Sequence, residues 1–295
     1  MLTLERLATL LQSHCAEAAA QVKEFDLAGQ EFAFNSEPAL MGVINLSPDS
    51  WYRESVCLSV ESAIRRGQVL HAQGARIVDL GAESTLAHAA RADQARQKHL
   101  LLPVLKGLRE SKILVSVETY EPAVAQACLE AGANVLNLTG VASSDEIFRM
   151  VAAHDAAVIL CYVQGDNVRS VGDFNFGSDP IDLMRDFFAR ATEKALRLGV
   201  NKILIDPGLG FYYRNLQDSS VRVRHQMQVF LNSFRLRSLG FPICQALPHA
   251  FEFFGEEVRC AEPFFAVLAA LGKTDLFRTH EVPRIRAVLE TLKAF

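Results

Sequence analysis

Asn45, Glu118, Asn137, Asp206, Arg278 and His280 are the side chains of this sequence best suited to doing chemistry together. Two carboxylates and an amide form an acceptor-rich set that matches the amino and ring N–H groups of a flat heterocycle. A carboxylate meets such an edge through two parallel hydrogen bonds, as it would a guanidinium, and a pterin or a guanine ring displays that edge. Arg278 and His280 alternate about Thr279, so in a strand they share a face and can grip an anion such as pyrophosphate. Asn45 ends the apolar run Met41-Gly42-Val43-Ile44, after which Pro48 and Asp49 turn the chain. An amide at that tip can reach a phosphate oxygen or a magnesium ion, which makes Asn45 the candidate metal ligand as well as a candidate catalytic residue.

These residues are far apart in sequence, so the fold has to gather them. From Ala39 onward, short apolar strands alternate with amphipathic helices and no linker interrupts them. Strands are predicted at 41–45, 76–80, 112–117, 134–138, 156–161, 202–206, 242–246 and 274–277. Helices are predicted near 57–73, 91–109, 121–131, 144–154, 180–198, 216–238, 258–271 and 281–293. Eight strand-helix units are the number that closes a parallel (β/α)8 barrel, in which chemistry sits at the carboxyl ends of the strands. Those ends are unusually polar: Asn45; Asp79 followed by Glu83, Ser84 and Thr85; Glu118-Thr119; Asn137; Gln164; Asp206-Pro207-Gly208-Leu209-Gly210; Arg278-Thr279-His280. Any one of them is compatible with a cap or turn residue, but the whole set describes a pocket. Gly74, Gly132 and Gly199, each just before a strand, read as helix terminators.

Residues 1–38 read as an extension outside the repeat: a leading helix over 2–23, then a small hairpin around Ala28-Gly29 suited to closing the bottom of the barrel. Residues 39–295 then form the barrel domain. A net charge of −4 with both signs interspersed offers no basic field for nucleic acid. The chain contains no run of eighteen apolar residues and no signal-peptide pattern, so a cytoplasmic protein with no membrane or nucleic-acid partner is expected. The six cysteines, at 15, 57, 128, 161, 244 and 260, show no metal-binding spacing and read as buried thiols.

The segment 41–50, MGVINLSPDS, is similar to the MGILNVTPDSF motif of the dihydropteroate synthases and the wider pterin-binding barrel family. Residues 74–85, GARIVDLGAEST, resemble the family's GADIIDVGGEST, and 115–119 its ISVDT. Residues 206–211, DPGLGF, resemble DPGIGF, and 278–282, RTHEV, resemble the closing R-x-H-D-V. The resemblance implies a pterin held by Asp206, Asn137 and Glu118 near Thr85 and Gly210, and a diphosphate held by Asn45, Arg278 and His280. It also implies assistance from magnesium, and pairing of the barrel as a homodimer through its late helices, where Phe264, Phe265, Val267 and Leu268 cluster. The family reaction joins p-aminobenzoate to a dihydropterin methyl diphosphate with loss of pyrophosphate.

The departures from the family pattern bear on activity. The Ser-Arg-Lys triplet after strand seven is replaced by Leu247-Pro248-His249-Ala250, with Ala250 where the lysine is expected and His249 as a substitute donor. The loop arginine is Leu86, the strand-three aspartate is Glu118, and Gly-Lys after DPGIGF is Tyr212-Tyr213. The expected function is therefore a synthase-like pterin-binding protein of folate metabolism whose transferase activity is weak or changed. The alternatives are a non-catalytic homologue acting as a ligand-binding or interaction protein, and a methyltetrahydrofolate-dependent methyltransferase.

Overall fold

The computed structural model describes residues 2–49, 52–84, 89–211 and 213–294. Helices α1 (Leu4–Ser13) and α2 (Cys15–Ala18) lead into a hairpin of β1 (Phe25–Leu27) and β2 (Gln30–Phe32). The alternating part runs β3 (Ala39–Asn45), α3 (Val60–Ala72), β4 (Ile77–Gly81), α4 (Gln94–Glu110), β5 (Leu114–Thr119), α5 (Pro122–Glu130), β6 (Val135–Leu138), α6 (Ser144–Ala153) and β7 (Ala157–Cys161). It continues with α7 (Pro180–Arg197), β8 (Lys202–Asp206), α8 (Ser219–Asn232), β9 (Cys244–Ala246), α9 (Phe251–Phe254), α10 (Ala261–Leu271), β10 (Leu276–Thr279) and α11 (Val282–Lys293).

The strands pair in parallel in the order β8-β7-β6-β5-β4-β3-β10-β9. The two outer strands meet where Ile205 N–H donates to the Pro242 carbonyl at 3.0 Å and Ile205 bridges to Ile243. The architecture is the (β/α)8 barrel expected. Its strands are apolar runs because both faces are covered, by the barrel interior and by the helices; Ala39 to Ile44 are all buried. Ser59, Asp93, Asp179 and Asp218 cap helix N-termini through their side chains, satisfying N–H groups that have no partner within the helix.

Helix ends repeat one device. Gly74, Gly132 and Gly199 have φ of 115°, 96° and 93°, and Lys112, Asp155 and Lys273 adopt φ of 57°, 49° and 57° at the corresponding junctions. At each of them the next residue's N–H reaches back to a helix carbonyl five residues earlier, as from Ala75 to Leu70 and from Ile113 to Leu108. The sequence pattern found the three glycines but not their non-glycine equivalents.

Inside the barrel, Met41, Ile77, Leu114, Val135, Ala157, Leu204, Cys244 and Leu276 form the lower layer. Val22, Leu27, Phe32 and Phe34 pack against it from below, so the hairpin plugs that end. The seam is polar. Arg237 pairs with Asp275 and donates to Asn35 Oδ1 at 3.0 Å and to the Ala20 carbonyl at 3.3 Å, while Ala39 N–H donates to the Asp275 carbonyl at 2.8 Å.

Three expectations need correction. The leading helix does not run to residue 23: it breaks at His14, whose φ of −138° is not helical, and residues 20–24 have no regular secondary structure before the hairpin. The helix expected over 216–238 is α8 followed by a 3-10 segment, Ser233–Leu239, ended by Gly240 in the left-handed region. The thiols divide, with Cys128, Cys161 and Cys244 buried, Cys57 partly so, and Cys15 and Cys260 exposed.

Candidate functional site

At the carboxyl ends of the strands a pocket is bordered by Asn45, Glu118, Asn137, Asp206, Arg278 and His280, joined by Gly210 and His249 from the loops. The fold thus brings together every sequence-predicted site residue except Thr85, which lies outside the described residues, as does Leu86. Gln164 does not border the pocket; its amide is held by the Tyr162 hydroxyl and the Asn175 carbonyl, both at 2.8 Å.

Arg278 is the hub of the pocket floor. Its Nε donates to Asp79 Oδ2 at 2.7 Å and its Nη2 to Glu118 Oε2 at 2.6 Å. Asn137 Nδ2 donates to the same Asp79 oxygen at 3.3 Å, and Asn137 Oδ1 accepts from the Cys161 thiol at 3.3 Å. Asp206 Oδ1 accepts from Gly208 N–H at 2.8 Å. Gly208, at φ 73°, has to be glycine, since a Cβ there would lie 2.2 Å from the Tyr162 carbonyl oxygen.

The electrostatics follow from three carboxylates around one cation. Burial pushes Glu118 up to about 7 against the pull of Arg278, and the Asp79 and Asp206 charges add to the rise. Burial likewise raises Asp206 to about 6, opposed by the Gly208 N–H and Arg278. Arg278 itself is held firmly charged by Asp79 and Glu118 although burial disfavours its cation. Its charge is therefore already matched within the protein, and the pocket floor favours a ligand edge that donates hydrogen bonds over one that carries negative charge.

The opposite rim is built of aromatic rings. Tyr52 stacks on His249 with centroids 4.6 Å apart and planes 14° apart, and lies 4.6 Å from the His280 ring. The Tyr52 hydroxyl donates to Glu281, which also receives Arg259 Nη2 at 2.9 Å. His280 Nδ1 sits 2.9 Å from Glu262 Oε1. Burial pushes His249 down to about 4 and His280 to about 3, the latter with help from the Arg278 charge. Both imidazoles are neutral near neutral pH, so neither is a standing cation for a diphosphate. Ala250, next to His249, adopts φ 45° in the left-handed region.

Magnesium can be tested against the donor set. Ser55 Oγ donates to the Tyr52 carbonyl at 2.7 Å and accepts from Asn45 Nδ2 at 2.6 Å, which fixes the amide. Asn45 Oδ1 then overlooks the bare face of Gly81, where an added Cβ would lie 3.5 Å from it. One neutral oxygen fits magnesium as part of a shell completed by phosphate oxygens and water, the usual arrangement for this ion.

Sequence reasoning missed Glu262, fully buried in the first turn of α10, and the roles of Tyr52 and Glu281. A carboxylate inside the otherwise apolar Ala261–Leu271 was the available signal, because an unneutralised charge is rarely placed there.

Residues 41–243 match the family model described as pterin binding enzyme. The dihydropteroate synthase of Synechocystis sp. is 27% identical over 275 residues, covering 89% of this chain and 92% of the relative. That of Streptococcus pyogenes serotype M6 is 30% identical over 217 residues, covering 72% and 76%. The structure of Xanthomonas albilineans dihydropteroate synthase with 4-aminobenzoic acid superposes with a TM-score of 0.77 at 25% identity, covering 93% of this chain and 98% of that one.

Proposed function

The chain belongs to the pterin-binding enzyme family, and from that membership we propose that its pocket holds a pterin edge-on against Asp206, Asn137 and Glu118. It is a dihydropteroate synthase-like protein of folate metabolism. The observation that supports the ligand pose is the convergence of those three acceptors from β5, β6 and β8 on one pocket. Ionised Asp206 accepts the amino and ring N–H pair, while Glu118, sharing Arg278 with Asp79, adjusts its protonation to the ring nitrogens.

In the family reaction pyrophosphate leaves the pterin methylene carbon as an arylamine attacks it. Magnesium would be held by Asn45 Oδ1 together with the diphosphate oxygens, and would neutralise the leaving group. The protein's own cations are poorly arranged for that step: Arg278 is engaged by two carboxylates, Arg222 at the pocket edge pairs with Glu252 at 2.6 Å, the histidines are neutral, and Ala250 and Leu86 stand where the family has lysine and arginine. Synthase activity is therefore weak or changed. The same chain acts in the cytoplasm as a homodimer, joined through the exposed Phe264 and Leu271 of α10.

Calorimetric titration with a pterin tests the central reading. Binding that disappears in Asp206→Ala is the expected result; no heat and no thermal shift at millimolar pterin refutes it.

A further inference from the structure

We propose that His249, Glu262 and His280 bind one divalent transition-metal cation, of the zinc, cobalt or iron(II) class, at the rim of the pocket. The three residues come from three separate places: the loop after β9, the first turn of α10, and the position following β10. Their ligand atoms all lie within 4.8 Å of one another. His280 Nδ1 is 2.9 Å and His249 Nδ1 is 3.7 Å from the same oxygen, Glu262 Oε1. Nitrogen and oxygen ligands bound about 2.1 Å from one cation sit roughly 3.0–3.5 Å apart, so small ring rotations complete the set.

Glu262 is a fully buried carboxyl group that holds the turn after β10 and also faces both rings. Among the described residues the titratable groups in salt-bridge range of it are these two imidazoles, with no lysine or arginine. Its second oxygen accepts from the Thr279 hydroxyl and from the N–H groups of His280 and Glu281 at 3.2 and 3.3 Å, while Oε1, which the His280 N–H also reaches at 3.2 Å, faces the rings. Tyr52 holds both ring planes from the other side and is itself anchored by Glu281. Buttressing of this kind orients ligands in protein metal sites.

Two imidazoles and one carboxylate suit zinc or iron(II) better than magnesium, which prefers an all-oxygen shell. Both imidazoles border the pocket, so the remaining coordination positions face the ligand, the pattern of catalytic rather than structural metal sites. The cation supplies the positive charge that Arg278 has already spent on Asp79 and Glu118, and it receives the anionic end of the bound molecule. That role rests on the pterin reading; the metal site does not.

The test uses the full chain, stripped with a chelator and titrated with cobalt(II) while its visible d–d absorption is followed. One equivalent is taken up and displaced by zinc, and His249→Ala and His280→Ala each weaken uptake by at least about tenfold. Glu262→Gln is informative only if circular dichroism shows it folded, since Glu262 also clamps the turn after β10, and the histidine variants do not depend on it. Absence of stoichiometric uptake, or uptake unchanged in both histidine variants, overturns the proposal. Inorganic pyrophosphate is then titrated into the stripped and zinc-loaded protein, and it binds more tightly to the loaded form; equal binding removes the anion role. Failure of pterin to bind leaves the cobalt titration readable, so the two readings fall separately.

Discussion

Arg278 Nε lies 2.7 Å from Asp79 Oδ2, joining the end of β10 to the middle of β4 over the intervening β3, and Asp79 has no exposed surface. The ion pair belongs to the fold before it belongs to any ligand. Replacing Arg278 with Met leaves Asp79 and Glu118 buried without their cation and lowers stability by about 3–5 kcal/mol. Adding Glu118→Gln recovers part of that loss. Denaturant unfolding of the single and double variants measures both.

Asp206 gives a pH-dependent prediction. Its folded-state value is raised to about 6, so ionising it costs folded-state stability, a cost absent below about pH 4 and complete above about pH 6. Asp206→Asn keeps an oxygen for the Gly208 N–H and removes the charge. The variant is more stable than the parent by about 1–3 kcal/mol at pH 8 and indistinguishable from it at pH 4. It also loses pterin affinity, so stability and binding move in opposite directions. Thermal melts at the two pH values, with calorimetry at pH 8, decide it.

Release of pyrophosphate from dihydropterin diphosphate and p-aminobenzoate is slow in the parent chain. One lost preorganised donor costs about 3 kcal/mol, or two to three powers of ten in rate, and this site lacks two of the family's cations. Ala250→Lys with Leu86→Arg raises the rate. Parent turnover at an ordinary enzymatic rate would show that other groups have taken over.

The helix ends allow a test far from the pocket. Lys112 holds φ 57° in the same junction that Gly74 and Gly132 make elsewhere. Lys112→Gly relieves left-handed strain and raises stability by up to about 1 kcal/mol, whereas Gly132→Ala introduces the strain and lowers it by about 1 kcal/mol or more. Their melting temperatures shift in opposite directions.

Leu271, 51% exposed, and Phe264, 42% exposed, lie on the outer face of α10, beside the buried Phe265 and Leu268. Light scattering gives a dimer mass for the parent and a monomer mass for Phe264→Glu with Leu271→Glu. A parent monomer at high concentration refutes the pairing.

Strand positions were legible because both-face burial writes a continuous apolar run; the expected 202–206 strand is Lys202–Asp206, and the others differ by a few residues. Polar strand tips were legible for the same reason, since Asn45 and Asp206 interrupt those runs. What the sequence did not reveal are side-chain partnerships across the barrel. Nothing near Arg278 indicates that it turns to Asp79 and Glu118, almost two hundred and one hundred and sixty residues away. The His249–Glu262–His280 grouping was equally hidden, because its members come from a loop, a helix and a strand end.

The seam beneath the barrel bears on how the chain is made. Phe32 and Phe34 rest on a layer that includes Leu276, and Arg237 ties Asn35 to Asp275. During synthesis at about 5–20 residues per second, the hairpin waits roughly ten to fifty seconds for the far side of its seat to emerge. For that interval its aromatic side chains have no complete surface to cover them, and they are available to a chaperone or to a neighbouring nascent chain. The hairpin is therefore among the last elements to be secured, although it precedes every barrel strand in the chain, and a ribosome pause shortly before residue 275 would hold the barrel open at its base.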